Sequence, residues 1–444
     1  MPALRNARLE QLLGGQINDN LTYGQIKALI PNVGEAPDLD FKRDLYDTKD
    51  SGRKSMCSDV AALANANGGV LILGMDEDSQ GRAHTDTGVS IADSEKSRIW
   101  QTVLDVVRPK PQFGVIAVED PDRPGTGFLI IWVAPSADPP HALVMPNKSL
   151  LYPRRIGTRT VHLSETEVAE GYRARFAGLA DRLGHAKQIE KDFAPSIDPS
   201  RVFVVVTLVP DIPGAFSIDT ATFRAFEQSI LTRRPLAFGI PVVRGFTRAT
   251  VRHRRLVGVS SWQPGKPYQG AACELHHNGN GVYAAEVESH ARDLSDTPSL
   301  VDSQQLVLNI GAALRHLALH ARDRTSAGGM ANLRATIIGG PRPGLALVSN
   351  LSYQNEQVGT HVATAQPEAD ALADIDELCE AKAGHVTATY RLASGLFQEF
   401  GRPEAPLLTP SGDIRLPYWG RDEQRMISAW AAESGVGTVA TEIN

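Results

Sequence analysis

"ALANANGGVLILGMDED", residues 62–78, sets two periodicities back to back. Upstream of Asn67, the residues Met56, Val60, Leu63 and Ala64 recur at helical spacing and predict a helix over 55–66. Asn67-Gly68-Gly69 then supplies a C-cap. The apolar run that follows predicts a buried strand over 70–78, delivering Asp76, Glu77 and Asp78 at its carboxyl end. A helix stopped by glycine and followed at once by a buried strand makes the fold class α+β.

The stretch before it is "EAPDLDFKRDLYD", residues 35–47. As a strand it sends Leu39 and Phe41 to one side and Asp38, Asp40 and Lys42 to the other. That acidic face is either solvated or a cation site. Magnesium and manganese take several oxygen ligands from different elements. If the two strands are neighbours, Glu35 and Asp40 meet Asp76.

Further along, "SEKSRIWQTVLDVV" (94–107) predicts a helix, and "FGVIAVED" (113–120) and "GFLIIWVAP" (127–135) predict paired strands. Ser164 and Glu167 have capping-box spacing and open a helix. "APSIDPS" (194–200) ends the regularity. A second α+β region then starts with "RVFVVVTLVP" (201–210) and contains a helix over 303–322 and a strand over 344–350. Leu306, Ile310, Ala313 and Leu317 form the core stripe of that helix. The expected division is a helical preface (1–34), a first domain (35–175), a helix and linker (176–200), a second α+β domain (201–360) serving as sensor or partner surface, and a helical carboxyl-terminal region (361–444).

Composition bounds the function classes. No apolar run approaches the roughly 20 residues of a membrane span, and the amino terminus lacks the apolar stretch of a secretory signal, so a cytoplasmic protein is expected. Three cysteines are too few and too scattered for a disulfide framework. His316 and His320 lie four apart, but no carboxylate or cysteine stands at supporting zinc spacing. The net charge of −6 does not advertise a nucleic-acid binder, yet residues 231–255 hold seven arginines and no acid. Within them Arg244, Phe246, Arg248, Thr250, Arg252 and Arg254 alternate, so a strand would show arginines around an aromatic ring, either a platform for a single nucleic-acid strand or a solvated edge.

Four ordered motifs, "EAPDLDFKRDL", "ALANANGGVLILGMDED", "VAPSADPPH" and "YPRRIGTRTVHLSETEV", together resemble the Schlafen AlbA-type domain over about residues 30–175. The resemblance implies nucleic-acid binding. In the RNA-cleaving members it further implies a catalytic, metal-binding carboxylate triad, which falls by motif on Glu35, Asp40 and Asp76, with Asp78 as the alternative to Asp76 and magnesium or manganese as cofactor. Asp40 stands where the family pattern has the longer glutamate. With the same resemblance Lys42, Arg154, Arg155 and Arg159 are expected phosphate contacts, and Arg248 and Arg252 of the alternating arginines, outside the resemblance, are expected as a second patch. Nuclease cores of that family enclose their substrate with two related lobes, so the resemblance, with one motif set here, implies either a homodimer or closure of the substrate groove by the second domain of the same chain. The competing readings are a regulator that binds DNA without cutting it and an interaction module whose acidic face is inert.

Overall fold

The computed structural model describes residues 4, 6–136, 138–289, 298–349 and 356–441. Ala137 of "VAPSADPPH" and Asn350 of the strand expected over 344–350 lie outside them. The chain divides into two compact units, Met1–Ala180 and Asp181–Asn444.

The first unit runs α1 (Ala7–Leu13), α2 (Tyr23–Lys27), β1 (Leu39–Lys42), α3 (Asp50–Ala64), β2 (Gly69–Leu73), β3 (Met75–Glu77), β4 (Ala83–Asp86), β5 (Val89–Ser90), α4 (Asp93–Val106), β6 (Phe113–Asp120) and β7 (Arg123–Val133). β1 and β2 pair in parallel, with Asp40 opposite Leu71 and Lys42 opposite Leu73. β7 is antiparallel to β2, β5 and β6. Strand alternation splits the side chains between two cores: Val70 and Ile72 join Leu9, Ile17 and Ile26, whereas Leu71 and Leu73 join the apolar residues of α3 and α4. Because both faces are covered, "VLIL" carries no polar residue.

Two glycines shape this unit. Gly69 has φ +149°, and a Cβ there would stand 2.4 Å from the Asp38 carbonyl oxygen, so only glycine lets β2 lie this close to β1. Gly74, with φ +97°, breaks the strand expected over 70–78. β3 leaves the sheet at that point and pairs with β4 instead. The unit continues with a hairpin of β8 (Pro153–Ile156) and β9 (Arg159–His162) and ends within α5 (Glu165–Phe193), whose residues from Asp181 onward belong to the second unit. The expected capping box is present: the Ser164 amide donates to Glu167 Oε2 at 2.7 Å, and the Glu167 amide to Ser164 Oγ at 3.4 Å.

In the second unit the principal elements are β10 (Val202–Ile212), α6 (Thr220–Thr232), β11 (Arg248–Arg252), β12 (Arg255–Ser261), β13 (Gln269–His276), β14 (Gly281–Glu286), α7 (Ser303–Leu319), β15 (Gly328–Gly339), β16 (Glu368–Asp374), α8 (Ala383–Gln398) and α9 (Arg421–Ser434). Seven strands form one antiparallel sheet in the order β11-β12-β13-β14-β10-β15-β16. The expected stripe of α7, Leu306, Ile310, Ala313 and Leu317, is buried on one side of it with Val204 and Tyr283. Ala186, Ile189 and Phe193 of α5 cover the other side with Val205 and Ala284. β16 corrects the reading of 361–444 as helical, since it supplies an edge strand before the carboxyl-terminal helices begin. Cys57, Cys273 and Cys379 are free and buried, and burial pushes each thiol up to about 12. Among the described residues no helix is long and apolar enough to cross a membrane.

Candidate nucleic-acid interface

The alternation of β1 places Leu39 and Phe41 in the core shared with α1 and sends Asp40 to the opposite face, where it is 3% exposed. Asp40 Oδ1 accepts a hydrogen bond from Arg155 Nη2 at 2.8 Å, and the Lys42 ammonium lies against Oδ2. Asp40 is therefore not solvated; it is buried and neutralised from within the chain, while half-buried Asp38 pairs with Arg8 at 2.5 Å. Burial opposes ionisation of Asp40, but Lys42 and Arg155 outweigh it and hold the carboxyl below its ordinary range. Glu35 stands beside it, accepting the Phe41 amide proton at Oε1 over 3.3 Å. Burial pushes Glu35 up to about 7, reinforced by the charge of Asp40, a hydrogen bond to Asp40 and the charge of Glu77. The two carboxyls thus titrate as a pair, which holds a proton until the pH rises through about 7.

Behind this pair α3 presents Asp59, whose Oδ2 accepts from the Tyr46 hydroxyl at 2.7 Å. Burial raises both groups above their ordinary values. Lys42 is desolvated too, yet Asp40, Asp59 and Glu35 together raise its pKa. Asn65, the C-cap of α3, ties the motifs together. Its Nδ2 donates to the carbonyls of His141 (2.8 Å) and Pro153 (2.7 Å), and its Oδ1 accepts from the His141 amide (2.6 Å). The "ANANGG", "PPH" and "YPRR" motifs consequently meet at one buried amide side chain.

Of the four expected metal ligands, the fold brings Glu35 and Asp40 together and sends the other two elsewhere. Asp76 Oδ1 accepts from the Glu77 amide, and its Oδ2 is 3.9 Å from Arg43 Nη1. Asp78 closes a tight turn, accepting from the amides of Gln80 (2.8 Å) and Arg82 (3.0 Å) and from the Arg82 side chain (2.9 Å). Glu77, rather than Asp76, neighbours Glu35: a Cβ on Gly81 would have Glu77 Oε2 at 3.8 Å and Glu35 Cγ at 4.0 Å. Among the described residues no group of three or more His, Cys, Asp or Glu side chains could hold a metal ion. Glu35, Asp40, Asp76 and Asp78 do not fit magnesium or manganese in this arrangement, because two cations already hold Asp40 and the last two carboxylates engage other partners.

The expected phosphate contacts also divide. Arg155 is buried and salt-bridged to Asp40, which removes it from any binding surface. The reason is the period of β8, which turns adjacent Arg154 and Arg155 to opposite faces. Lys42 is half-buried and committed to Asp40. Arg154 and Arg159 are exposed, and the register puts Arg154 opposite Val161 and Ile156 opposite Arg159. One face of the hairpin thus presents two arginines and two apolar side chains, with Ile156 58% exposed. In the second unit Arg248 stacks over Trp262, its guanidinium carbon 3.7 Å from the ring centroid. Arg252 donates to the buried Glu274 at 2.9 Å, and Phe246 lies ahead of β11, buried in the core. The expected arginine and aromatic face is therefore Arg248 with Trp262, without Phe246.

Asp59, Tyr46 and Asn65 have no part in the sequence reading, and Glu77 enters it only among the carboxylates at the end of the strand expected over 70–78. A carboxylate between Cys57 and Val60 on the inner side of a helix is the one signal for Asp59.

No curated protein matches the sequence. Among solved structures, the DIP2311 protein from Corynebacterium diphtheriae is similar at 21% identity, covering 38% of this chain and 29% of that one, with a TM-score of 0.24. The N-terminal domain of a RecG-related protein from Nitrosomonas europaea is similar at 22% identity, covering 29% of this chain and 83% of that one, with a TM-score of 0.21. The model of the family described as Schlafen, AlbA_2 matches residues 35–164. That span holds β1, the Gly68-Gly69 turn, the buried charge cluster and the β8–β9 hairpin, and it is a Schlafen AlbA_2 domain.

Proposed function

We propose that the chain binds nucleic acid through its AlbA_2 domain, with the outer face of the β8–β9 hairpin as the contact surface. The observation that carries this is the pairing of Arg154 and Arg159 on one exposed ribbon face next to the capped start of α5. Guanidinium groups neutralise phosphates and release counterions, and a two-stranded ribbon is narrow enough to enter the major groove. Arg155 holds the strand from behind through Asp40 and contributes no contact of its own.

One hairpin offers few contacts, so pairing of two copies on one duplex belongs to the same reading. Sedimentation with and without DNA measures it. Metal-dependent cleavage is the reading this arrangement favours less, because Lys42 and Arg155 already hold Asp40.

Fluorescence anisotropy with labelled duplex DNA and structured RNA across a salt series tests the proposal. The R154A/R159A variant should bind more weakly and lower the slope of log affinity against log salt by about two, one per lost phosphate contact. An unchanged slope would remove the hairpin as the interface. Running the same samples with magnesium or manganese separates the remaining readings: intact strands leave a binder, and cut strands establish a nuclease.

A further inference from the structure

The second unit has two adjoining clefts that share Arg233 and Arg234, of about 560 and 530 Å³. In the first, the lining arginines face a carboxylate, Glu286, and Arg201 is 3.9 Å from Glu288. The second is different. Arg233, Arg234, Arg315 and Arg324 line it, with no acidic residue in the lining among the described residues, and Pro235, Leu236, Pro241 and Leu319 supply apolar wall.

Arg315 projects from α7, and Arg324 from the π-helical turn, His320–Arg324, that follows it. Both residues are half-buried, and arginine nitrogens taken out of water are normally paired. Here Arg315 Nε is buried without a hydrogen-bond partner. Arg324 lies with its guanidinium carbon 5.6 Å from the Phe226 ring centroid. Asp323, whose charge reaches Arg324, is hydrogen-bonded by Arg322 at 2.7 Å. Burial pushes both Arg315 and Arg324 below the ordinary guanidinium value, and the charge of Asp323 only partly opposes this at Arg324.

We propose that this cleft is a binding site for a small organic phosphate, its phosphoryl oxygens on Arg315 and Arg324, Arg233 and Arg234 at the mouth, and its organic body against Leu236 and Leu319. The volume suits a small ligand, being within the ordinary range of such pockets. Several planar donors and no acid favour a group with several oxygens and more than one negative charge, which phosphoryl supplies and a single carboxylate does not. The apolar wall requires that the anion carry a body.

The test is titration calorimetry on the full chain with ADP, inorganic pyrophosphate and adenosine, paired with thermal unfolding. ADP should bind best, pyrophosphate more weakly and adenosine not at all. In the R315M/R324M variant the ADP affinity should fall by about 10- to 100-fold per arginine, the worth of a hydrogen bond between charged groups. The same variant without ligand should unfold at the same or a higher temperature, since it takes charge out of a half-buried site. The R154A/R159A variant should bind ADP as the parent does, which keeps this test separate from the hairpin. Failure of both ADP and pyrophosphate to bind at millimolar concentration, ADP binding that survives R315M/R324M, or a lower unfolding temperature of that variant would each overturn the proposal.

Discussion

Arg155 and Asp40 stand 115 residues apart in the chain and meet at 2.8 Å with both side chains buried. The pair joins the first strand of the AlbA_2 domain to its last hairpin. Removing one partner of such a pair strands the other as a buried charge. The Arg155→Met variant should lose about 3 kcal/mol of stability, the low end for a buried pair because Lys42 still faces Asp40. Adding Asp40→Asn should recover part of that loss. Urea denaturation of the two variants and their combination measures it, and additive losses would contradict the pairing.

Glu35 sets a pH dependence of unusual direction. Its carboxyl is raised from 4.5 to about 7 in the fold, so between those values the folded chain holds a proton that the unfolded chain has lost. Stability from this group therefore falls as pH rises from about 4.5 to 7 and levels off above. Asp40, held low, acts in a separate window and weakens the fold only as pH drops below its ordinary 3.8. The Glu35→Gln variant should unfold at a higher temperature than the parent at pH 8 and lose the slope between pH 5 and 7; a slope that persists would assign it to other groups.

Asn65 should tolerate neither of its small replacements. Asn65→Ala leaves two buried carbonyls and one buried amide without partners, at about 1–3 kcal/mol for each group left unsatisfied. Asn65→Asp keeps the acceptor for His141 but turns the donor toward two carbonyls into an oxygen, so it should be at least as damaging. Chemical denaturation ranks the two, and a mild Asn65→Asp would mean that the loops hold without this bond.

The two exposed arginines of β11 should separate in their effects. Arg248→Ala loses a surface stack on Trp262, worth about 0.5–1 kcal/mol. Arg252→Ala removes a bond to the buried Glu274, worth about 1.5–3 kcal/mol, although Arg255 still reaches that carboxylate at 2.7 Å. Thermal unfolding of the second unit's signal distinguishes them.

How far these features were legible follows from their range along the chain. The helix ending at Gly68-Gly69, the adjacent strands and the capping box are local patterns, and residues within one turn or one pleat decide them. Arg155 was misplaced as surface because its charge outweighed its strand parity, although that parity was already present in "PRRI". The break at Gly74 was hidden by apolar residues on both sides; a glycine inside a strand pattern was the available warning. β16, "EADALAD", has poor strand propensity and forms because β15 offers it an edge, a preference that no local window contains. The charge cluster was half legible: Glu35 and Asp40 are near in sequence, whereas Asp59 and Arg155 arrive through tertiary packing.

The segment that begins with Glu35 folds back on its own strand. The amide and carbonyl of Leu39 both bond to Ala36, and the Phe41 amide bonds to Glu35. β1 ends the order of its sheet, and an exposed edge there would recruit a strand from another molecule. Here the outward groups of Leu39 and the amide of Phe41 are spent before a neighbour arrives, and a strand adding beside Asp40 and Lys42 would have to displace them. The domain's first strand is thereby protected from aggregation through β-augmentation, by the same short peptide that brings its acid into place.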